Sequence, residues 1–151
     1  MKSAALTMQH SPRMRAATTG PERYASAAAT KAVLARGQAA RLERLNSLDM
    51  VNTDRAAALA GTTRATIKAW IEKGRCIGLQ RTTRGYRLPA WQFEPHVLVP
   101  LAAISAAMGT VDGWALLSFL ETPLGGLDGR TPRQALEQGM SDRVIALAGD
   151  H

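Results

Sequence analysis

Residues 52–74, NTDRAAALAGTTRATIKAWIEKG, decide how the rest of this chain is read. Two short runs of helix-forming residues flank Gly61, where a sharp turn favours a residue that tolerates positive φ. The first run, Asp54 to Ala60, has Thr53 as its expected cap and small alanines that let a second helix approach closely. The second extends from Thr63 to about Lys73, with Thr62 or Thr63 capping it. Its Ile67, Trp70 and Ile71 fall at i, i+3 and i+4 and predict one buried face. Arg64, Ala65, Lys68 and Ala69 are left on the open face. Such a helix fits a DNA major groove, its N-terminal residues reaching base edges and phosphates. An ordinary αα-hairpin needs only the glycine and the apolar face, so the motif alone does not license DNA binding.

Charge tips the balance. The net charge of +7 is unevenly spread: residues 1–93 hold sixteen Lys/Arg and five Asp/Glu, whereas residues 94–151 hold three and seven. A basic part of this kind suits a polyphosphate partner, because cations that neutralise phosphates supply most non-specific nucleic-acid affinity. The switch of sign near residue 93 implies a second partner with other electrostatic demands.

Working outward, residues 75–93 lose helical periodicity and contain Gly78, Gly85 and Pro89, which predicts a β-hairpin. CIGLQ pairs with GYRLPAW across RTTR in this reading, and Pro89 suits an edge strand. Arg81, Arg84 and Arg87 would meet phosphates beside the groove. Tyr86, Leu88, Trp91 and Phe93 are assigned to packing, with Trp91 and Phe93 fixing the ribbon to Trp70 or to the next helix. Upstream, residues 29–48 are rich in Ala, Leu and Arg and predict a helix weakened or broken at Gly37. Residues 1–28 lack periodicity and read as a flexible basic arm.

Beyond Phe93 four short helices are expected. One begins near Val97, with Pro95 and Pro100 in its first turns and Gly109 ending it. A second carries Trp114, Leu117 and Leu120 and stops at Thr122-Pro123. A third has Thr131 as cap, Pro132 at its first position, Gln134 completing a capping box and Gly139 just past its end. The last starts from a Ser141 cap, with Asp142 favourable in its first turn. These helices are too short to bury a comfortable core alone, so burial against a partner would help them.

From residue 84 to about 148 the chain resembles the Xre/MbcA/ParS-like antitoxins of type II toxin-antitoxin systems. The resemblance rests on GYRLPAWQF, a helix, WALLSFLETP, LDGRTPRQAL and GMSDRVIALA in that order, and with residues 52–74 it covers most of the chain after the arm. It implies an antitoxin that blocks the active-site groove of a RES-domain toxin, an enzyme that consumes NAD or uses it to ADP-ribosylate a target. A helix-turn-helix would repress the shared operon. Ala57, Gly61, Ile67 and Trp70 also resemble the bacterial helix-turn-helix pattern in their spacing. That likeness implies that Thr63, Arg64, Thr66 and Lys68 face the DNA, while the antitoxin resemblance bears on the C-terminal residues. By the latter, Leu124, Arg130, Arg143 and Leu147 lie in or near the toxin contact, with Asp150 and His151 at the tail. Arg130 and Arg143 also read as surface charges near helix ends, and Val144 and Ile145 as inward packing.

Catalysis is not expected. His10, His96 and His151 are far apart, Cys76 has no adjacent base, and neither glycine-containing loop matches a nucleotide fingerprint. Neither a metal nor a cofactor is called for. A single cysteine excludes an intrachain disulfide and suits the reducing cytoplasm, and no apolar run reaches the roughly 18–20 residues that span a bilayer. The reading is therefore a mainly α chain: arm 1–28, helix-turn-helix with a β-hairpin wing 29–93, and a helical toxin-binding domain 94–151. A homodimer within a toxin-antitoxin hetero-oligomer is expected, since such motifs read paired half-sites. The main rival is an excisionase or MerR-like regulator whose C-terminal helices dimerise, and a third reading is a pure interaction module whose basic arm is incidental.

Overall fold

The computed structural model describes residues 26–80 and 85–151, of which 67% are helical and 7% lie in strands. The chain divides between Arg44 and Leu45 into two compact units. The first is carried by α1, a helix over residues 26–45 whose last residue belongs to the second unit. The expected helix is present, and of the two outcomes allowed at Gly37 it is not broken there: α1 runs through the glycine without interruption. Strong helix formers on either side outweigh the cost of about 1 kcal/mol that one glycine imposes. Val33, Leu34 and Leu42 are exposed on it, at 56%, 62% and 44%. Of the expected flexible arm, residues 26–28 are the first described turn of α1, and the rest lies outside the described residues.

The second unit opens with β1 (Met50–Val51), followed by α2 (Thr53–Ala60) and α3 (Arg64–Glu72). Asn52, not Thr53, caps α2, its side chain accepting from the Arg55 N–H at 2.8 Å. Both residue types cap well, and the helix simply begins one residue earlier than predicted. Gly61 ends α2 in the left-handed region at φ 67°. The Gly61 and Thr62 N–H groups return to Ala58 and Ala57, closing the helix with paired bonds of the Schellman type. Thr63 caps α3 by accepting from the Thr66 N–H.

β2 (Leu79–Gln80) and β3 (Tyr86–Pro89) form the expected antiparallel pair, with Leu79 opposite Arg87 and Gln80 opposite Tyr86. The sheet nevertheless has three strands in the order β1-β3-β2, so β3 is central and not an edge. Pro89 is tolerated because it occupies the last position of β3, and the next N–H, that of Ala90, bonds Asp49 O at 2.8 Å. Residues 90–93 form a 3₁₀ turn and do not continue the strand. Nor does Cys76–Gly78 pair as strand. The Gln92 side chain, fully buried, takes over: its Oε1 accepts from the Ile77 N–H at 2.6 Å and its Nε2 donates to Ile77 O at 2.8 Å. An amide side chain thus reproduces one rung of a β-ladder.

Four helices follow, namely α4 (Pro95–Met108), α5 (Gly113–Glu121), α6 (Pro132–Glu137) and α7 (Ser141–Gly149). Pro95 starts α4, two residues before the predicted beginning, because the first turn needs no proline N–H. The capping box of α6 is formed, with Thr131 N–H to Gln134 Oε1 at 2.9 Å and Gln134 N–H to Thr131 Oγ1 at 3.1 Å. Gly139 at φ 80° closes α6, and the Met140 N–H reaches Ala135 O at 2.9 Å. Met140, with no side-chain bond, occupies the cap position of α7, so Ser141 is its first helical residue and not its cap. Because Met140 is already folded back by the α6 closure, α7 starts directly from that turn.

Two hydrophobic clusters hold the second unit together. One joins Ala56, Ala57, Ile67, Ile71, Cys76 and Leu88, with Trp70, Tyr86 and Phe93 packed on its margin. The other joins Leu101, Ile104, Leu116, Phe119, Leu120, Leu136, Val144 and Ala148 of the C-terminal helices to Leu45, Met50, Ile77 and Leu79. The change of charge at residue 93 therefore coincides with no gap in packing, and the four helices bury apolar residues contributed by the sheet region. Trp91 packs on the second cluster, donates to Asp49 Oδ2 at 3.0 Å, and lies 4.2 Å from the Arg133 guanidinium over its ring. Among the described residues no single helix is long and apolar enough to cross a membrane.

Candidate functional site

The α2–α3 pair presents one open polar face. Ile67 and Ile71 anchor α3 inward, which leaves Arg64 and Lys68, one turn apart, exposed on the other side. They line an open depression of about 500 Å³ together with the cap Asn52, Thr53 and Asp54 of α2, and Gln80, Gly85 and Tyr86 of the hairpin. Thr63 and Thr66 sit at the same end of α3, but their hydroxyls are 3.0 Å apart and Thr63 is occupied as the cap. Arg87 is exposed on β3. Arg81 and Arg84 lie outside the described residues.

One residue of this face escaped the sequence reading. Asp54 accepts from Arg64 Nε at 2.8 Å and from Nη2 at 2.6 Å, a two-bond pair bridging the two helices. The Arg64 hydrogen bond, then its charge, hold the Asp54 carboxyl below its ordinary value of 3.8, and Asp54 in turn raises Arg64. A depressed carboxyl keeps its interaction above the ordinary value and loses it as pH falls through the lowered one, so the pair opens only in acid. Only the position of Asp54 in the first helical turn hinted at a role. Nothing in the spacing of ten residues marks an ion pair across a turn.

The residues assigned to a protein partner also converge. Leu124 and Arg130 bracket a closed loop in which Leu124 N–H bonds Arg130 O at 3.1 Å and Gly129 N–H bonds Leu124 O at 3.0 Å. From α7, Arg143 Nε donates to Gly126 O at 3.2 Å, and Leu147 packs so closely on Gly126 that a Cβ there would lie 2.8 Å from Leu147 Cδ2. Leu124, Arg130, Arg143 and Leu147 thus surround one loop–helix junction. Arg143 is exposed, Arg130 and Leu147 are half-buried, and Val144 is fully buried as expected, with Ile145 partly so. Asp150 is exposed, and the His151 ring meets Phe119 edge-on at 5.1 Å.

Cys76 is inert by position. Burial pushes its thiol up to about 12, so the nucleophilic thiolate is scarce at neutral pH. Thiol reagents added to the folded protein at pH 8 are expected to leave Cys76 unmodified over the time in which they titrate it fully in denaturant. Equal rates in the two conditions would refute this burial.

Comparison of the chain with known protein families, with curated proteins and with solved structures finds no match.

Proposed function

We propose that this chain is a DNA-binding antitoxin that represses its own operon and plugs the active-site groove of an NAD-consuming RES-domain toxin. In this reading α2, the Gly61 turn and α3 form a helix-turn-helix, with α3 as recognition helix and the β2–β3 hairpin as a wing beside it. The observation that carries the DNA half is the placement of Arg64 and Lys68. Both are exposed on the outer face of a helix whose inner face is fixed by Ile67 and Ile71, beside the hairpin bearing Arg87. By sequence, Arg81 and Arg84 fall between Gln80 and Gly85 and add to this charge. Support for the antitoxin half comes from the family resemblance and from the convergence of Leu124, Arg130, Arg143 and Leu147 on one junction.

The partner test is co-expression with the product of the neighbouring reading frame, followed by pull-down and an NAD-depletion assay. A stable complex that spares NAD is the expected result, and undiminished NAD loss in the presence of this chain refutes the antitoxin reading. For the DNA half, Arg64→Ala with Lys68→Ala should weaken operator binding and flatten its salt dependence. Each lost phosphate contact removes about 0.9 from the slope of log affinity against log salt. An unchanged affinity and slope would remove α3 from the interface.

A second reading keeps the DNA half and assigns α4–α7 to dimerisation. It is favoured by Val99, which stands 78% exposed on α4 beside half-buried Leu98. A dimer that forms through α4 and leaves NAD consumption untouched would select it.

A further inference from the structure

The Asp54–Arg64 pair does little for stability. Its side chains are 70% and 64% exposed for Arg64 and Asp54, and water screens such pairs while holding them costs side-chain freedom. What two parallel bonds do is orient. With Nε and Nη2 committed to Asp54, the guanidinium plane is fixed, and its other edge, Nη1 with the second hydrogen of Nη2, is a flat two-donor fork. Among the described residues no acceptor meets that edge.

Two partners on DNA fit such a fork, a backbone phosphate and the O6/N7 edge of guanine. Charge decides between them. Paired with Asp54, Arg64 offers a phosphate almost no net charge, and the carboxylate repels it. A neutral base edge is read by hydrogen-bond geometry and loses nothing to the carboxylate. Arg64 is also the first residue of α3, the end from which a recognition helix reaches bases. Lys68, one turn further on, has no acidic partner among the described residues and suits the phosphate.

We infer that Asp54 is a specificity-determining residue that holds Arg64 in the orientation that reads a guanine in the major groove, leaving phosphate contact to Lys68. This rests on the reading of α2–α3 as a DNA-binding element.

The test begins with wild-type protein and a pool of randomised DNA duplexes. Each guanine in the selected duplex is then replaced by 7-deazaguanine, which pairs normally but lacks the N7 acceptor. One guanine per half-site should be sensitive, its replacement weakening wild-type binding about tenfold, in the range expected of one bidentate contact. Arg64→Ala should be indifferent to that replacement. Asp54→Asn should bind unselected duplex at least as tightly as wild type while losing most of the tenfold preference, and Asp54→Ala should do the same. The inference is overturned if no guanine is sensitive, or if Asp54→Asn and Asp54→Ala discriminate as wild type does. Enrichment of no sequence, with duplexes still bound, sinks the inference and leaves DNA binding standing. Failure to bind any duplex at low salt sinks the DNA-binding reading itself. The deazaguanine scan uses the unaltered protein, so it decides the matter even if a variant folds poorly.

Discussion

Gln92→Leu is expected to destabilise the second unit by about 2–6 kcal/mol, the largest stability effect of any single polar substitution here. The change is nearly isosteric, so its cost lies in what it strands. Gln92 is fully buried, and its amide serves both the N–H and the C=O of Ile77, themselves buried. Leucine leaves both backbone groups without partners, at about 1–3 kcal/mol each. Against a typical domain stability of roughly 5–15 kcal/mol this is a large share. Urea unfolding should show a lower midpoint at unchanged slope. A loss below 1 kcal/mol would mean that the Ile77 groups find other partners.

Gln92→Glu sharpens the same point through pH. A neutral carboxylic acid can accept from the Ile77 N–H and donate to Ile77 O, as the amide does. The carboxylate cannot donate and is buried, so its folded pKa must rise above the unfolded value near 4.3. A raised pKa gives stability that is complete below the unfolded value and disappears as pH rises through the folded one. Gln92→Glu is therefore expected to approach wild-type stability in mild acid and to lose it toward neutrality. A pH-independent deficit would contradict the proposed rung.

The second large effect concerns the surface proposed above to meet the toxin. Arg130→Glu with Arg143→Glu is expected to abolish toxin neutralisation while leaving the fold intact. Arginine is enriched among residues whose loss costs an interface 2 kcal/mol or more, and two reversals would also place repulsion where the antitoxin reading puts attraction. Neither side chain is part of the hydrophobic clusters, and the single Arg143 bond to Gly126 O is solvent-exposed. Deleting residues 141–151 would be a poorer test. It would take Val144 and Ala148 out of the core, so lost neutralisation would only report unfolding. The double variant should keep its melting temperature and fail to spare NAD in co-expression. Full neutralisation would clear this junction of any role.

Local chemistry was readable where one short stretch settles it. Gly61 between two capped runs, the Thr131–Gln134 box and Gly139 each satisfy backbone groups within a few residues, and the composition around them points the same way. Long-range satisfaction was not readable. A glutamine between two aromatics gives no sign that it is buried, because its partner lies fifteen residues earlier. β1 consists of two residues, too few for any alternation to register, and it alone makes β3 central. On the candidate DNA face, Arg64 and Lys68 were legible as open positions by helical spacing. Asp54 was not, since an ion pair across a turn depends on how α2 and α3 cross.

The way the sheet feeds both clusters has a thermodynamic consequence. Leu79 on β2 lies in the cluster of the C-terminal helices, and Leu88 on neighbouring β3 lies in the cluster of α2 and α3. Neither cluster can melt without stripping the sheet of one side of its packing, so residues 45–151 should unfold in one cooperative step. Occupancy then raises the melting temperature of the whole unit by mass action, whichever face the ligand occupies. Amide exchange in α7 would slow when a ligand sits on α3, with no conformational signal passing between them. The two faces would share a single reservoir of folding free energy.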